Sequence, residues 1–153
     1  MILFLDFDGV LHTAFNASSP KDDFKKLPLL EKWLRRHPEV NIVISSSWRE
    51  VMSMASLKEI FSEDLRNRVI DTCSILPLSL ELEFYRYEEI MSWIKLQKYD
   101  GIWLALDDAT HEFPPNFEKL VVCQKHRGID RSVIRELTIK LMGFKSSALN
   151  SSK

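Results

Sequence analysis

Two acidic pairs define the chemistry open to this sequence. Asp6 and Asp8 close a short apolar run, Ile2-Leu3-Phe4-Leu5, and lead into Gly9 and Val10. Asp107 and Asp108 close a second run, Ile102-Trp103-Leu104-Ala105-Leu106. Gathered in a partly desolvated cleft, four carboxylates repel one another and some are driven toward protonation. A divalent cation removes that conflict. All-oxygen ligation with waters retained suits Mg²⁺, and there is no Cys or His cluster to favour zinc. A cation so held also binds phosphate oxygens and neutralises charge that develops during phosphoryl transfer. A third polar run, Ser45-Ser46-Ser47-Trp48-Arg49, follows Asn41-Ile42-Val43-Ile44. There the Ser45 hydroxyl and the turn amides from Ser46 onward could hold phosphate oxygens, and Arg86 could add charge-assisted bonds. Attack on a phosphate ester could come from a carboxylate or from a metal-activated water, and spacing alone leaves both open.

These residues can act together only if the chain brings its strand ends to one place. Five apolar runs, at 2–5, 41–44, 68–70, 102–106 and 120–123, have the pattern of strands buried on both faces. Helical stripes lie between them: Leu27, Leu30 and Leu34; Leu57, Ile60, Phe61 and Leu65; Ile90, Trp93 and Ile94. A fourth stripe, Val133, Ile134, Leu137 and Leu141, follows Asp130 as a candidate N-cap. Strict alternation predicts a three-layer α/β domain, a five-stranded parallel sheet with helices on both faces. In such sheets ligands bind beyond the carboxyl ends of the strands, where the crossover direction switches. The polar stretch 13–23, with Pro20, reads as a loop or small flap. The domain is placed at 1–144 and the Ser-rich stretch 145–153 reads as a frayed tail.

With 153 residues, 45% of them hydrophobic and 28% charged, the chain suits one compact domain. Twenty-one basic and 22 acidic residues give a net charge of -1, which excludes an overall basic field but not a local basic patch. Cys73 and Cys123 each sit in an apolar segment and read as buried reduced thiols, which points to the cytoplasm. The opening apolar run meets Asp6 too soon for a signal sequence or a membrane span, so no membrane association is expected. Nothing in the composition sets the oligomeric state.

Asp6-Phe7-Asp8-Gly9-Val10-Leu11 after an apolar strand resembles the first motif of the haloacid dehalogenase (HAD) superfamily. Ile44-Ser45 resembles the second motif and Leu106-Asp107-Asp108 the fourth. More narrowly, the run 43–49, the segment 86–93 and Ala105-Leu106-Asp107-Asp108 resemble the small HAD domains of bacterial multifunctional RNA-repair proteins. The resemblance implies a Rossmann-like HAD fold and Mg²⁺-dependent phosphatase activity through an aspartyl-phosphate on Asp6. It implies Asp8 as acid and base, and Asp6, Asp8, Asp107 and Asp108 as metal-binding. It also implies Ser45 and Ser46 at the phosphate. The third motif usually supplies a lysine; here Arg86 is the favoured candidate over Lys95 and Lys98, which fall near the far end of their helix. Neither gap where HAD enzymes insert a cap domain is long enough for one. An open site favours phosphate on a nucleic-acid end, or on protein, over a small sugar phosphate. The rivals are a protein or small-molecule phosphatase of the same mechanism and a catalytically slow binding module.

Plainer roles compete with these. Asp108 and the serines 45–47 could cap the helices that follow them. Arg49, in a first helical turn, reads as solvated or paired with Glu50. His12 reads as flap structure, and His111, His126 and Arg127 as surface loop residues on the site's edge. Trp33, Trp93 and Trp103 are core by preference, and Trp48 packs under its loop.

Overall fold

The computed structural model describes residues 1–13 and 24–151, so the expected flap at 14–23 lies outside the described residues. Its strands are β1 (Ile2–Leu5), β2 (Asn41–Ile44), β3 (Val69–Thr72), β4 (Trp103–Asp107) and β5 (Leu120–Val122). All pair in parallel, in the order β3-β2-β1-β4-β5. The α-helices are α1 (Leu27–Arg36), α2 (Met54–Glu59), α3 (Tyr85–Leu96) and α4 (Arg131–Ser151). This is the expected Rossmann-like α/β architecture.

The period of two along each strand explains the layers. Leu3 and Leu5, with Ile42, Ile44, Leu104 and Leu106, form one core with Leu30 and Leu34 of α1, Leu57 of α2 and Leu137 of α4. Ile2 and Phe4, with Val43, Trp103 and Ala105, form the other with Ile90 and Trp93 of α3. The chain fills one side of β1 with β2 and β3, then crosses to the other side for β4 and β5. The reversal falls between β1 and β4. Their carboxyl ends stay level because Asp6 N–H donates to Leu106 O at 3.1 Å, and Ser45 N–H donates to Leu5 O at 3.0 Å.

Three expectations change. The stripe from Leu57 to Leu65 is not one helix: α2 stops at Glu59 and a 3₁₀ segment, Glu63–Arg68, follows. Glu31 on α1 causes the break by accepting from both the Ser62 N–H and the Ser62 hydroxyl at 2.7 Å, which starts a new turn there. Arg68 is not in β3; its guanidinium donates to the carbonyls of Leu34 and Val40, and to that of His37 at 2.6 Å, closing the end of α1. Finally, α4 continues to Ser151, through the stretch read as a frayed tail. The Lys145 to Glu39 ion pair ties the start of that stretch to the body of the domain, and the Ser146 and Ser147 hydroxyls donate back to the carbonyls of Met142 and Gly143 instead of competing for the helix's own amides.

Asp130 does cap α4, its Oδ1 accepting from Ser132 N–H at 2.8 Å and Val133 N–H at 3.0 Å. Trp33, Trp93 and Trp103 are buried. Both cysteines are free and buried, and burial pushes the Cys73 thiol up to about 12. Among the described residues, no helix is long and apolar enough to cross a membrane.

Candidate active site

Three strand ends supply the site. Asp6 follows β1, Ser45 and Ser46 follow β2, and Asp107 ends β4, with Asp108 next to it. All but Asp108 are buried. One oxygen from each of Asp6, Asp107 and Asp108 lies within 4.8 Å of the others. Gly9 makes that approach possible: it has φ +68°, and a Cβ there would sit 2.4 Å from Asp108 Oδ2.

Burial dominates the electrostatics of the cluster. It raises the Asp6 pKa against the pull of the Arg86 charge. It pushes Asp107 up to about 7, helped by the Asp6 charge, and it raises Asp108 for the same two reasons. Asp107 Oδ1 accepts from Ala109 N–H at 2.9 Å, whereas its Oδ2 is buried without a hydrogen-bond partner. Hard oxygen donors, excess negative charge and a buried orphan oxygen together fit a divalent cation such as Mg²⁺.

Arg86, in the first turn of α3, reaches the same space. Its Nη1 lies 3.5 Å from Asp6 Oδ1 and donates to the Ser45 carbonyl, and its Nε is 3.8 Å from Asp107 Oδ2. Burial works to lower its pKa, but Asp107, Asp6 and Glu89 outweigh that, so the net shift is upward and Arg86 stays charged. Glu112 accepts from the Arg86 N–H at 3.3 Å and so anchors the start of α3. Lys95 and Lys98 are exposed near the opposite end of α3. Lys95 is nine residues beyond Arg86, about 14 Å of helical rise away.

Asp8 stands beside this cluster with both oxygens engaged. His12 Nε2 pairs with Oδ1 at 2.7 Å, and Trp48 Nε1 donates to Oδ2 at 3.0 Å. The His12 bond lowers the Asp8 pKa most, and the Trp48 bond adds to it. His12 and Trp48 are themselves wedged against Phe24, and Trp48 against Phe7, in a run of edge-to-face rings.

The serines are phosphate-side candidates rather than caps. Ser46 precedes the 3₁₀ segment Ser47–Glu50, yet its side chain makes no capping bond. The Ser46 hydroxyl lies against Asp6, near enough to lower its pKa but outside hydrogen-bond geometry, and is buried without a partner. The Ser45 carbonyl is fixed from two sides, by Arg86 and by Arg49 Nη1 at 2.5 Å.

A sequence model of the family described as "HAD domain in Swiss Army Knife RNA repair proteins" matches residues 2–134. The chain belongs to that family. Membership makes this HAD domain a hydrolase of the phosphatase kind, and the family's usual Mg²⁺ agrees with the donor set above. No curated protein and no solved structure matches the chain.

Within the HAD domain, Asp6, Asp8, Ser45, Ser46, Arg86, Asp107 and Asp108 are thus brought to one edge. The expected surface residues are not. His111 pairs with Glu112 and is 80% exposed on its side chain, His126 is exposed, and Arg127 pairs with Asp130 at 3.6 Å. Arg49 is neither solvated nor paired with Glu50. Its guanidinium is buried, with Nη2 on Glu89 Oε2 at 2.6 Å and Nε on the Cys73 carbonyl at 3.0 Å. The sequence reading missed Glu89 and Glu112 as partners, and it missed the hold of His12 and Trp48 on Asp8. Phe7-Asp8 and His12 share one short stretch, a signal that could have found that pair; the other contacts are long-range and leave no local trace.

Proposed function

We propose that this HAD domain is a Mg²⁺-dependent phosphomonoesterase that works through a phosphorylated Asp6 and acts on the terminal phosphate of a nucleic acid. The observation that carries the reading is the setting of Asp6. Its carboxylate faces the charged Arg86 at 3.5 Å, and the two flanking polar atoms, Ser46 Oγ and Asp107 Oδ2, are buried without a hydrogen-bond partner among the described residues. Orphaned polar groups in a buried site call for a ligand that supplies the missing bonds.

In this reading an Asp6 oxygen attacks phosphorus, the ester P–O bond breaks, and the leaving oxygen takes the proton of Asp8. Asp8, now ionised, accepts a proton from water; the water oxygen bonds to phosphorus, and the Asp6 O–P bond breaks to release phosphate. Arg86, the Ser45 and Ser46 hydroxyls and the turn amides after them hold the phosphoryl oxygens. Asp6, Asp107, Asp108 and the Asp8 backbone carbonyl would hold Mg²⁺, whose charge would stabilise the oxygens of the transferred group. The family description names RNA repair, which supports a nucleic-acid end as the substrate.

The test compares 3'- and 5'-phosphorylated RNA and DNA with an aryl phosphate and a panel of phosphometabolites, with Asp6→Asn beside the native protein. Expected are turnover of a nucleic-acid end, labelling of Asp6 by beryllofluoride, and loss of at least about a thousandfold in kcat on every substrate for Asp6→Asn. Turnover confined to metabolites overturns the nucleic-acid reading, and an active Asp6→Asn overturns the nucleophile.

A further inference from the structure

The helical layer formed by α1 and α4 carries a feature that concerns charge rather than catalysis. Between α1 and α4 lies a cleft of about 260 Å³ whose rim carries Lys32, Arg36, Arg131 and Arg135. All four are exposed, and among the described residues none has a carboxylate partner, although neighbouring cations do: Arg35 pairs with Asp64, Arg127 with Asp130 and Lys140 with Glu136. In a chain of net charge -1 this is a local concentration of unneutralised positive charge. The four form two i,i+4 pairs, one on each helix, so the charges of each pair are spaced about 6 Å along the groove.

The cleft is tied to the site. Lys26 N–H, just before α1, donates to Leu11 O at 2.9 Å, and Ile129 N–H, just before α4, donates to Val10 O at 2.8 Å. Both helices therefore start from the loop that carries Asp6 and Asp8. On the other side of the site, a cleft of about 390 Å³ beside Arg86 has the opposite character: it carries Glu50, Glu89 and Glu112, and its two arginines are engaged, Arg49 by Glu89 and Arg86 by Asp6 and Asp107. A polyanion leaving the site is repelled on that side and attracted on this one.

We propose that the α1/α4 cleft is a binding groove for the phosphodiester backbone of the nucleic acid whose end enters the site; this deepens the function proposed above. The floor defines the mode. Trp33 is 4% exposed, donates from Nε1 to Thr138 Oγ1 at 2.9 Å and is covered by His37 at 4.5 Å between ring centroids. It offers no face to a base, so the groove reads charge and not sequence.

The test measures binding of fluorescent single-stranded RNA by anisotropy, on an Asp6→Asn background so that nothing is consumed. The variant Lys32→Gln/Arg36→Gln/Arg131→Gln/Arg135→Gln is compared with its parent, with thermal unfolding as the check on folding. RNA bearing a terminal hydroxyl in place of phosphate is included, because groove binding survives that change. Four contacts to a single strand give a slope of log K against log salt of about -3, and their removal weakens binding at least about tenfold at low salt. Native and quadruple-variant proteins, both with Asp6 restored, should turn over an aryl phosphate equally. Equal RNA affinity and equal salt slope in the two proteins overturn the groove. Stronger binding of an acidic peptide than of RNA of equal charge overturns it in favour of a protein partner. Groove binding without turnover of any nucleic-acid end in the native protein upholds the groove while rejecting the substrate reading.

Discussion

Trp48 donates its indole N–H to Asp8 Oδ2 at 3.0 Å, and this bond links the end of β2 to the carboxylate assigned the acid and base role. With His12 on Oδ1, it leaves Asp8 no free choice of orientation. Hydrogen bonds to the ionised form favour that form, which explains the lowered pKa. The clamp therefore fixes where the Asp8 carboxylate stands relative to Asp6 and any leaving oxygen, and holds it in the form that accepts a proton.

Trp48→Phe keeps a ring in the aromatic run but removes the donor. Kcat should fall about ten- to a hundredfold for an alkyl phosphate, whose leaving oxygen needs a proton, and only a few-fold for nitrophenyl phosphate, whose leaving group does not. The expected cost in stability is about 1 kcal/mol. Equal losses on both substrates would show that Trp48 acts through folding alone.

Asp107 has its folded-state pKa pushed up to about 7, by burial first and the Asp6 charge second, from the ordinary value of 3.8. Between those values the folded state binds more protons at this group than the unfolded state, so its contribution to stability falls as pH rises from about 4 to 7. Without a divalent cation, the native protein should therefore lose Tm relative to Asp107→Asn across that window. Mg²⁺ should raise the native Tm more at pH 7.5 than at pH 5, and should leave Asp107→Asn nearly unmoved. Calorimetric scans at the two pH values decide it.

Arg49 and Glu89 are a buried pair at 2.6 Å, with side chains 3% and 9% exposed. Arg49→Met strands the Glu89 charge and should cost about 3 kcal/mol in denaturant unfolding. Arg49→Met with Glu89→Leu should recover most of that. The double variant should nonetheless remain impaired in kcat, because the Ser45 carbonyl loses one of its two guanidinium donors.

The layers and the strand ends were legible in the sequence because both follow from short-range pattern: continuous apolar runs for doubly covered strands, and polar residues where those runs stop. Asp6, Asp107 and Ser45 were found that way. Arg86 was singled out by motif position, and α3 brings its Nη1 to 3.5 Å from Asp6 Oδ1. What stayed hidden depends on partners distant in the chain. Glu31 catching Ser62 breaks a helix that its own residues would continue. Arg49 has a favourable neighbour in Glu50 yet turns inward to Glu89, because two carbonyls and a buried carboxylate together outbid a solvated contact. Such choices are made by tertiary geometry, which no window along the chain contains.

The position of the site between the two cores has a last consequence. Asp8 is held by Trp48, which packs on the core shared with α1, α2 and α4, while Arg86 is delivered by α3, which packs on the opposite one. In the proposed mechanism a chain that has docked only one helical layer would hold half of the machinery, so hydrolysis should switch on only when the last layer closes, and turnover during refolding would then clock completion of the native state.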